Sequence, residues 1–584
     1  MHILSLPSEL IVRILGLAEP PDIIRCGMVC RSFRQIVESL AEFQYLIKLD
    51  SLGYIPPADP RLDLSYKEMI SILNQHQDKW GSDTHTKVDM YKLRNLEARS
   101  MTYDFHGGFY VRGSSLPGMG DYTRRLDVYQ LPSINKNTKW REWTHPDIGV
   151  DVRDFVLQTD YDLLVLLEAG EPVSDHETTE DSPDALQHIK IHLRSLETGQ
   201  SHPAAACPIL ECQLPSYMQS MCSFYAQVVG KYLSVFFQVL AWRGTRSYEL
   251  KTWNWTTGKL ISYIGTSVDG AESFTFLSDR LILIPCPVTF TDGGLRHQAH
   301  LDIYTFDEPP TDDAPAQPAR LLASLYLPEV PEMSETRFII SRFSCRCDPP
   351  PSPSAQIAVP YVGRPRVYDL ASNNRVLCIA IEALNITVNT GGRTRTKSML
   401  YISCNDLVDM VKKTLDKWSQ GGSVTTILWK DWANMASWAD IGQIYTGNQC
   451  YVHGQRTVGL VYARNDSLAE DAEEETTRIH SLVIFDFDPV RVKQASRQIR
   501  RGVRISDPKA ESAWEIPADE TIIMKDLFLG GEAKADAPFS VRTTLINEEF
   551  HSPYCYVMMD EEHVVIVLQD LGGRESSLVV YTFN

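Results

Sequence analysis

Apolar residues in the first eighty positions recur at helical spacing, and after about residue 95 they gather into short strand-like runs. Leu10, Ile11, Ile14 and Leu15 mark a first helix. Pro7 suits its first position, where the missing N–H costs nothing, and Glu9 suits the positive end of the helix dipole. Pro20 and Pro21 are expected to stop this helix. Asp22 then caps a second one carrying Ile23 and Ile24, and Gly27 lets it end or pack closely. Val29, Phe33, Ile36, Val37 and Leu40 predict a third helix. A fourth, from about Ala41 to Leu52, carries Phe43, Leu46, Ile47 and Leu49 and ends at Gly53. Pro56, Pro57 and Pro60 stiffen the connection that follows. Ser65 and Glu68 form a capping box before a fifth helix with Met69, Ile72, Leu73, His76 and Trp80. His76 reads as a surface or satisfied position on that helix rather than a ligand.

Three short helices with this much apolar surface do not bury it all among themselves, so part faces a partner or the next helices. The stretch Leu6-Pro7-Ser8-Glu9-Leu10, then Ile14-Leu15, Asp22-Ile23-Ile24-Arg25 and Val29-Cys30-Arg31-Ser32-Phe33-Arg34-Gln35-Ile36 resembles an F-box. Phe33 stands where that family often has tryptophan. The resemblance covers about 35 residues. It implies docking to a Skp-type adaptor and, through it, to a cullin scaffold. The adaptor-binding residues it implies are Leu6, Pro7, Leu10, Ile14, Leu15, Ile24, Val29, Cys30, Phe33 and Ile36, with Phe33 first among the anchors. Such docking packs apolar helix faces into a groove. The competing reading is a three-helix cap on the larger domain, with Leu10, Ile14 and Val29 in its core.

Beyond Lys92, short runs rich in Val, Ile, Tyr, Phe and Trp alternate with Gly, Pro, Asp and Asn. Leu126–Leu131, Leu163–Leu167, Tyr232–Leu240, Val376–Ile381 and Val564–Leu568 are examples. Leu250 to Lys259 and, as a weaker copy, His192 to Gln200 end alike, Leu301–Phe306, Leu482–Phe487 and Leu578–Phe583 share an aliphatic–x–aliphatic–aromatic–x–aromatic flavour, and each reads as the outer strand of a four-stranded blade. Repetition over nearly 500 residues predicts a β-propeller of about seven blades, six or eight being compatible. Two stacked β-sandwiches are the alternative. The strand Ser577–Phe583 suits ring closure beside the first blade. The expected class is therefore α+β multidomain: F-box helices at 1–40, a helical linker at 41–92 and an all-β domain at 93–584. A helix at Asn405–Trp418, the Trp429-Lys430-Asp431-Trp432 stretch and Phe485-Asp486-Phe487-Asp488-Pro489 add a looser resemblance to fungal F-box proteins with β-rich C-terminal halves.

Composition narrows the function. The 584 residues carry a formal net charge of -19, which repels a phosphate backbone unless a basic patch intervenes. The densest basic stretch, Arg491 to Arg504, has no interleaved aromatic residues and reads as a solvated helix or loop. Nucleic acid is not an expected partner. No apolar run of about 18 residues and no basic leader occur, so neither membrane nor secretion is expected. The 12 cysteines show no metal or disulfide spacing and suit a reducing compartment, the cytoplasm, the nucleus or both.

No G-x-S-x-G elbow, phosphate loop or H-E-x-x-H motif appears, and no cofactor is expected. Asp560-Glu561-Glu562 reads as a hairpin turn. The sequence thus points to a non-catalytic substrate receptor of a cullin-type ubiquitin ligase, holding its protein substrate on the β-rich body. One rival is an F-box scaffold outside the ligase. The other is a propeller enzyme, which predicts convergent carboxylates or a metal in a central channel.

Overall fold

The computed structural model describes residues 6–81, 87–94, 100–119, 122–168, 186–215, 223–240, 246–267, 271–287, 289–291, 294–296, 298–311, 313–328, 336–360, 362–387, 392–418, 424–441, 444–445, 450–463, 478–493, 512–515, 539–545, 555–570 and 574–583. The acidic, polar stretches at 169–184 and 466–477, and the basic stretch after Lys493, lie outside these residues. Arg491 itself is ion-paired to Asp486 and Asp488.

Five helices open the chain: α1 (Ser8–Leu15), α2 (Pro20–Val29), α3 (Arg31–Ser39), α4 (Ala41–Ser51) and α5 (Tyr66–Gly81). Pro20 and Pro21 start α2 rather than stop α1, which ends four residues earlier at the Gly16 cap. Proline fits a first turn because its N–H has no partner there in any case. Asp22 accordingly lies inside the first turn and is not the cap. The capping box forms as read: the Ser65 N–H donates to Glu68 Oε2 at 2.8 Å, and the Glu68 N–H to Ser65 Oγ at 3.4 Å. Gly53, after α4, has φ +72°, and a Cβ there would stand 2.0 Å from the Asn374 side chain, so both conformation and space demand glycine.

The rest forms seven sheets of at least four strands, arranged as a seven-bladed β-propeller. The first blade is Ser100–His106, Phe109–Ser114, Arg125–Gln130 and Arg141–His145. The second is Val152–Gln158, Leu163–Glu168, Leu186–Ser195 and Ile209–Pro215. The third runs from Ser223–Val229 to Lys259–Ser267, the fourth from Thr275–Phe276 to Arg320–Tyr326, the fifth from Thr336–Arg346 to Ala436–Asp440, and the sixth from Ile444–Tyr445 to Ser540–Leu545. The seventh joins Cys555–Met559, His563–Gln569 and Glu575–Thr582 to the early strand Lys87–Lys92. Apolar clusters lie between neighbouring blades all the way round, including Tyr110, Tyr129, Val565 and Val580 between the first and seventh. A pair of sandwiches would not produce that closed sequence of interfaces.

Two sequence expectations change. Residues 87–92, read as the end of the helical linker, supply the fourth strand of the closing blade. The aromatic-rich runs are third strands, not outer ones: Arg246–Asn254, Leu186–Ser195, His300–Thr305, Arg478–Asp486 and Glu575–Thr582 are each flanked by strands on both sides. A third strand packs both faces against adjacent blades, which is why its apolar content is high. Helix α6 (Cys404–Trp418) is inserted after the third strand of the fifth blade and buries Leu407 and Val411.

Helices α4 and α5 are fastened to the propeller. Tyr54–Ile55 pairs with Asp369–Leu370, inside the segment 347–375 that links the first two strands of the fifth blade. Tyr45 donates from its hydroxyl to Val367 O. Burial, with Arg456 and Arg491 nearby, pushes His76 well below its usual range, so the ring is neutral. Its Nδ1 then donates to Phe583 O and its Nε2 accepts from the Tyr54 hydroxyl, both at 2.9 Å. His76 is thus a satisfied, buried position rather than a surface one.

Candidate functional site

The first surface to consider is apolar. Helices α1 to α3, with Phe43 of α4, enclose a small core of Ile11, Leu15, Ile23, Phe33, Val37 and Phe43. Leu10 and Ile14 on α1, and Leu17 just beyond its Gly16 cap, stand outside it at 44%, 46% and 90% exposure. Ile24, Met28 and Val29 do the same on α2, Val29 at 72%. Leu10, Ile14 and Val29 therefore lie outside the core in which the cap reading places them.

The second feature is the propeller channel. A cavity of 460 Å³ lies at the end carrying the turns between first and second strands, under residues 349–353, Arg366 and 369–372 of the segment 347–375 and beside Ile55, Pro56 and Ala58. Asn135 holds that segment down, accepting the Val367 N–H at 2.7 Å, while Arg366 pairs with Asp160 and Asp369 at 2.5 and 2.7 Å. Asp104 and Asp154 line the cavity from the first strands of two adjacent blades, and each accepts the N–H of the phenylalanine after it at 2.8 Å. Asp348, Arg346, Lys136, Gln158 and His453 join them. The Asp560-Glu561-Glu562 turn contributes too: Asp560 bonds His563 at 2.9 Å, and Glu562 accepts from the Asn135 N–H at 3.2 Å.

Electrostatics divide these carboxyls. Burial pushes Asp160 up, but the Arg366 guanidinium outweighs it and holds Asp160 down at about 2. Burial and the neighbouring Asp104 raise Asp154 to about 7, and burial also raises Asp104, Asp348 and Glu561. Burial lowers His453 to about 3, so its ring is neutral. The channel therefore offers both ionised and protonated carboxyls, which donate and accept hydrogen bonds to a polar ligand.

Residues 3–43 match the family model described as F-box-like. The chain carries an F-box-like domain at its start. No curated protein matches it. Among solved structures, the polysaccharide lyase Uly1 is similar at a TM-score of 0.35 and 9% identity, over 84% of this chain and 91% of that one. Hsv2 of Kluyveromyces lactis is similar at a TM-score of 0.18 and 9% identity, over 51% and 98%. At those scores neither likeness carries an argument.

The F-box distributes its ten sequence-derived residues between two roles. Pro7, Leu10, Ile14, Ile24 and Val29 are exposed, and Leu6, Cys30 and Ile36 are half-buried. Leu15 and Phe33 lie inside the helical core, Phe33 at 7% exposure, so they support the surface from beneath. Leu17 and Met28 extend the exposed face and were not singled out from the sequence; their signal is the continued spacing from Ile14 and Ile24. The channel groups of the F-box protein were missed as well, apart from the Asp560 turn. The repeated Asp-Phe pairs, Asp104-Phe105 and Asp154-Phe155, were the available signal.

Asp154 yields a pH-dependent prediction. Its folded-state value of about 7 lies above the ordinary 3.8, so the folded chain binds the proton more tightly. Stability from this group is present below about pH 4 and is lost as pH rises towards about 7. Asp154→Asn keeps an acceptor for the Phe155 N–H and removes the charge. Its melting temperature should exceed that of the wild type at about pH 8, with the gap closing towards about pH 4. A pH-independent difference would refute the assignment.

Proposed function

We propose that this F-box protein is a substrate receptor of a cullin-type ubiquitin ligase. The observation that carries the reading is the exposed apolar face of α1 and α2, set on helices that α4 and α5 fasten to the propeller. F-box domains generally bind Skp-type adaptors. The face offers Leu10, Ile14, Ile24 and Val29 as anchors, and the adaptor connects the chain to the cullin. A fixed joint between F-box and propeller turns docking into positioning: a protein substrate on the propeller is held at a set distance from the transferring subunits. The chain itself contributes proximity and no covalent step. Among the described residues the cysteines form no disulfide and no helix is long and apolar enough to cross a membrane, and with the acidic charge this fits a cytoplasmic or nuclear protein.

The test is co-expression of the full chain with a Skp-type adaptor and a cullin. Recovery of all three in one complex is expected. A truncation beginning near Met90 is the wrong control, because it cuts the strand Lys87–Lys92 that closes the ring.

The polar channel favours a second reading, in which the propeller binds or acts on a small polar ligand. Convergent carboxyls are what that reading requires. The same experiment separates them: a folded chain that captures no adaptor leaves the channel as the working site.

A further inference from the structure

In the fourth blade, three side chains of metal-binding type meet away from both surfaces described above. Cys286, His300 and Asp302 are buried, and each offers a ligand atom within 4.8 Å of the others. Cys286 ends the second strand of the blade, His300 begins the third, and the ladder sets them opposite one another, with Ile284 opposite Asp302. Positions 300 and 302 share a face of their strand, and the cross-strand partner of His300 shares it too. The backbone register alone therefore delivers the three to one spot.

The separations suit metal ligands, and Cys286 Sγ also reaches Ile284 O at 3.8 Å. His300 Nε2 lies 3.5 Å from Asp302 Oδ1, and Cys286 Sγ lies 3.9 Å from Asp302 Oδ2. A charge-assisted N–H···O bond would close to about 2.7–2.9 Å. Zinc with nitrogen and oxygen ligands at about 2.0–2.2 Å and sulfur at about 2.3 Å sets tetrahedral edges at roughly 3.3–3.6 Å. The two separations, each to its own oxygen of the Asp302 carboxylate, lie within a few tenths of an ångström of those edges.

The surroundings orient the set as a ligand shell. Ser324 Oγ donates to Asp302 Oδ1 at 2.5 Å. His300 Nδ1 faces Gln298 O at 3.4 Å, and Tyr326 stacks on the ring at 5.2 Å. In the tautomer with the ring proton on Nδ1, towards Gln298 O, Nε2 turns its lone pair to the Asp302 carboxylate, as a metal ligand does. Two lone pairs in that relation repel unless a cation, a metal or a proton, lies between them. The Cys286 sulfur selects a thiophilic cation over magnesium or calcium.

We propose that Cys286, His300 and Asp302 form a zinc site, with water in the fourth position. On binding, the Cys286 S–H bond breaks, a sulfur–zinc bond forms and the proton leaves to solvent. The ion ties the second strand to the third at the base of the hairpin Thr289–Thr291 and Gly294–Arg296. This turn joins second and third strands, so it lies at the opposite end of the blade from the turns that meet α4 and α5. The site therefore stands or falls independently of adaptor docking.

The test is metal content of the untagged full-length protein, purified without chelator from zinc-supplemented cells. About one zinc per chain is expected. Replacement by Co²⁺ should produce a thiolate-to-cobalt charge-transfer band that Cys286→Ala abolishes, while its circular dichroism matches that of the zinc-free wild type. Should Cys286→Ala not fold, Asp302→Asn keeps the side-chain shape and should still lower metal content. Zinc-free wild type with no band on adding Co²⁺, or equal zinc in wild type and a folded Cys286→Ala, overturns the proposal in favour of a proton-bridged His300–Asp302 pair.

Discussion

Replacing Leu10 by glutamate and Val29 by lysine should remove adaptor capture from the full-length chain while leaving helices and propeller folded. Both side chains are exposed, at 44% and 72%, so no core is opened. Each new charge also suits its place: the introduced carboxylate would stand in the first turn of α1 and the introduced ammonium at the last position of α2, where the helix dipole favours them. If each anchor contributes about 2 kcal/mol, the pair weakens binding roughly a thousandfold. Capture on an adaptor column reads this directly, with circular dichroism as the check on folding. Undiminished capture by the double variant would remove this face from the interface. Phe33→Ala makes the contrast. Its ring is in the core of α1 to α3, so truncation should cost about 3–5 kcal/mol of that small unit and lose the adaptor through unfolding.

Trp80→Ala should be among the most destabilising single changes in the joint between helices and propeller. The indole is 1% exposed and stacks on Phe583 with centroids 3.9 Å apart and planes 9° apart. Its N–H donates to Glu561 O at 3.3 Å, and the Arg456 guanidinium lies 4.3 Å from its ring centre. Removing a buried tryptophan costs about 3–5 kcal/mol through lost transfer energy and the cavity left behind. Phe583 follows the strand that pairs with Lys87–Lys92, so the loss falls on the closing blade. Chemical denaturation should show a lower midpoint for the propeller. Adaptor capture should persist, because the core of α1 to α3 and Phe43 of α4 is a separate cluster from the one that holds Trp80. A midpoint shift worth less than about 1 kcal/mol would show that the joint does not support ring closure.

The sequence by itself determined the local features. Helix positions followed from 3.6-residue spacing, and the Ser65–Glu68 capping box formed because its signal needs only three residues of neighbouring backbone. The F-box pattern was legible because a 35-residue helical unit reads off local spacing. Strand runs were legible for the same reason. Tertiary structure decided what depends on distant pairings. The aromatic runs became third strands only when neighbours closed on both sides, and Lys87–Lys92 joined a blade nearly 500 residues away because a ring must remove its last open edge. Phe33 moved from surface to core because α1 and α2 pack over it, leaving Leu10 and Val29 outside. The channel was hidden for the same physical reason. Asp104, Asp154, Asp348 and Glu561 come from four different blades, and only the ring's axis brings them together.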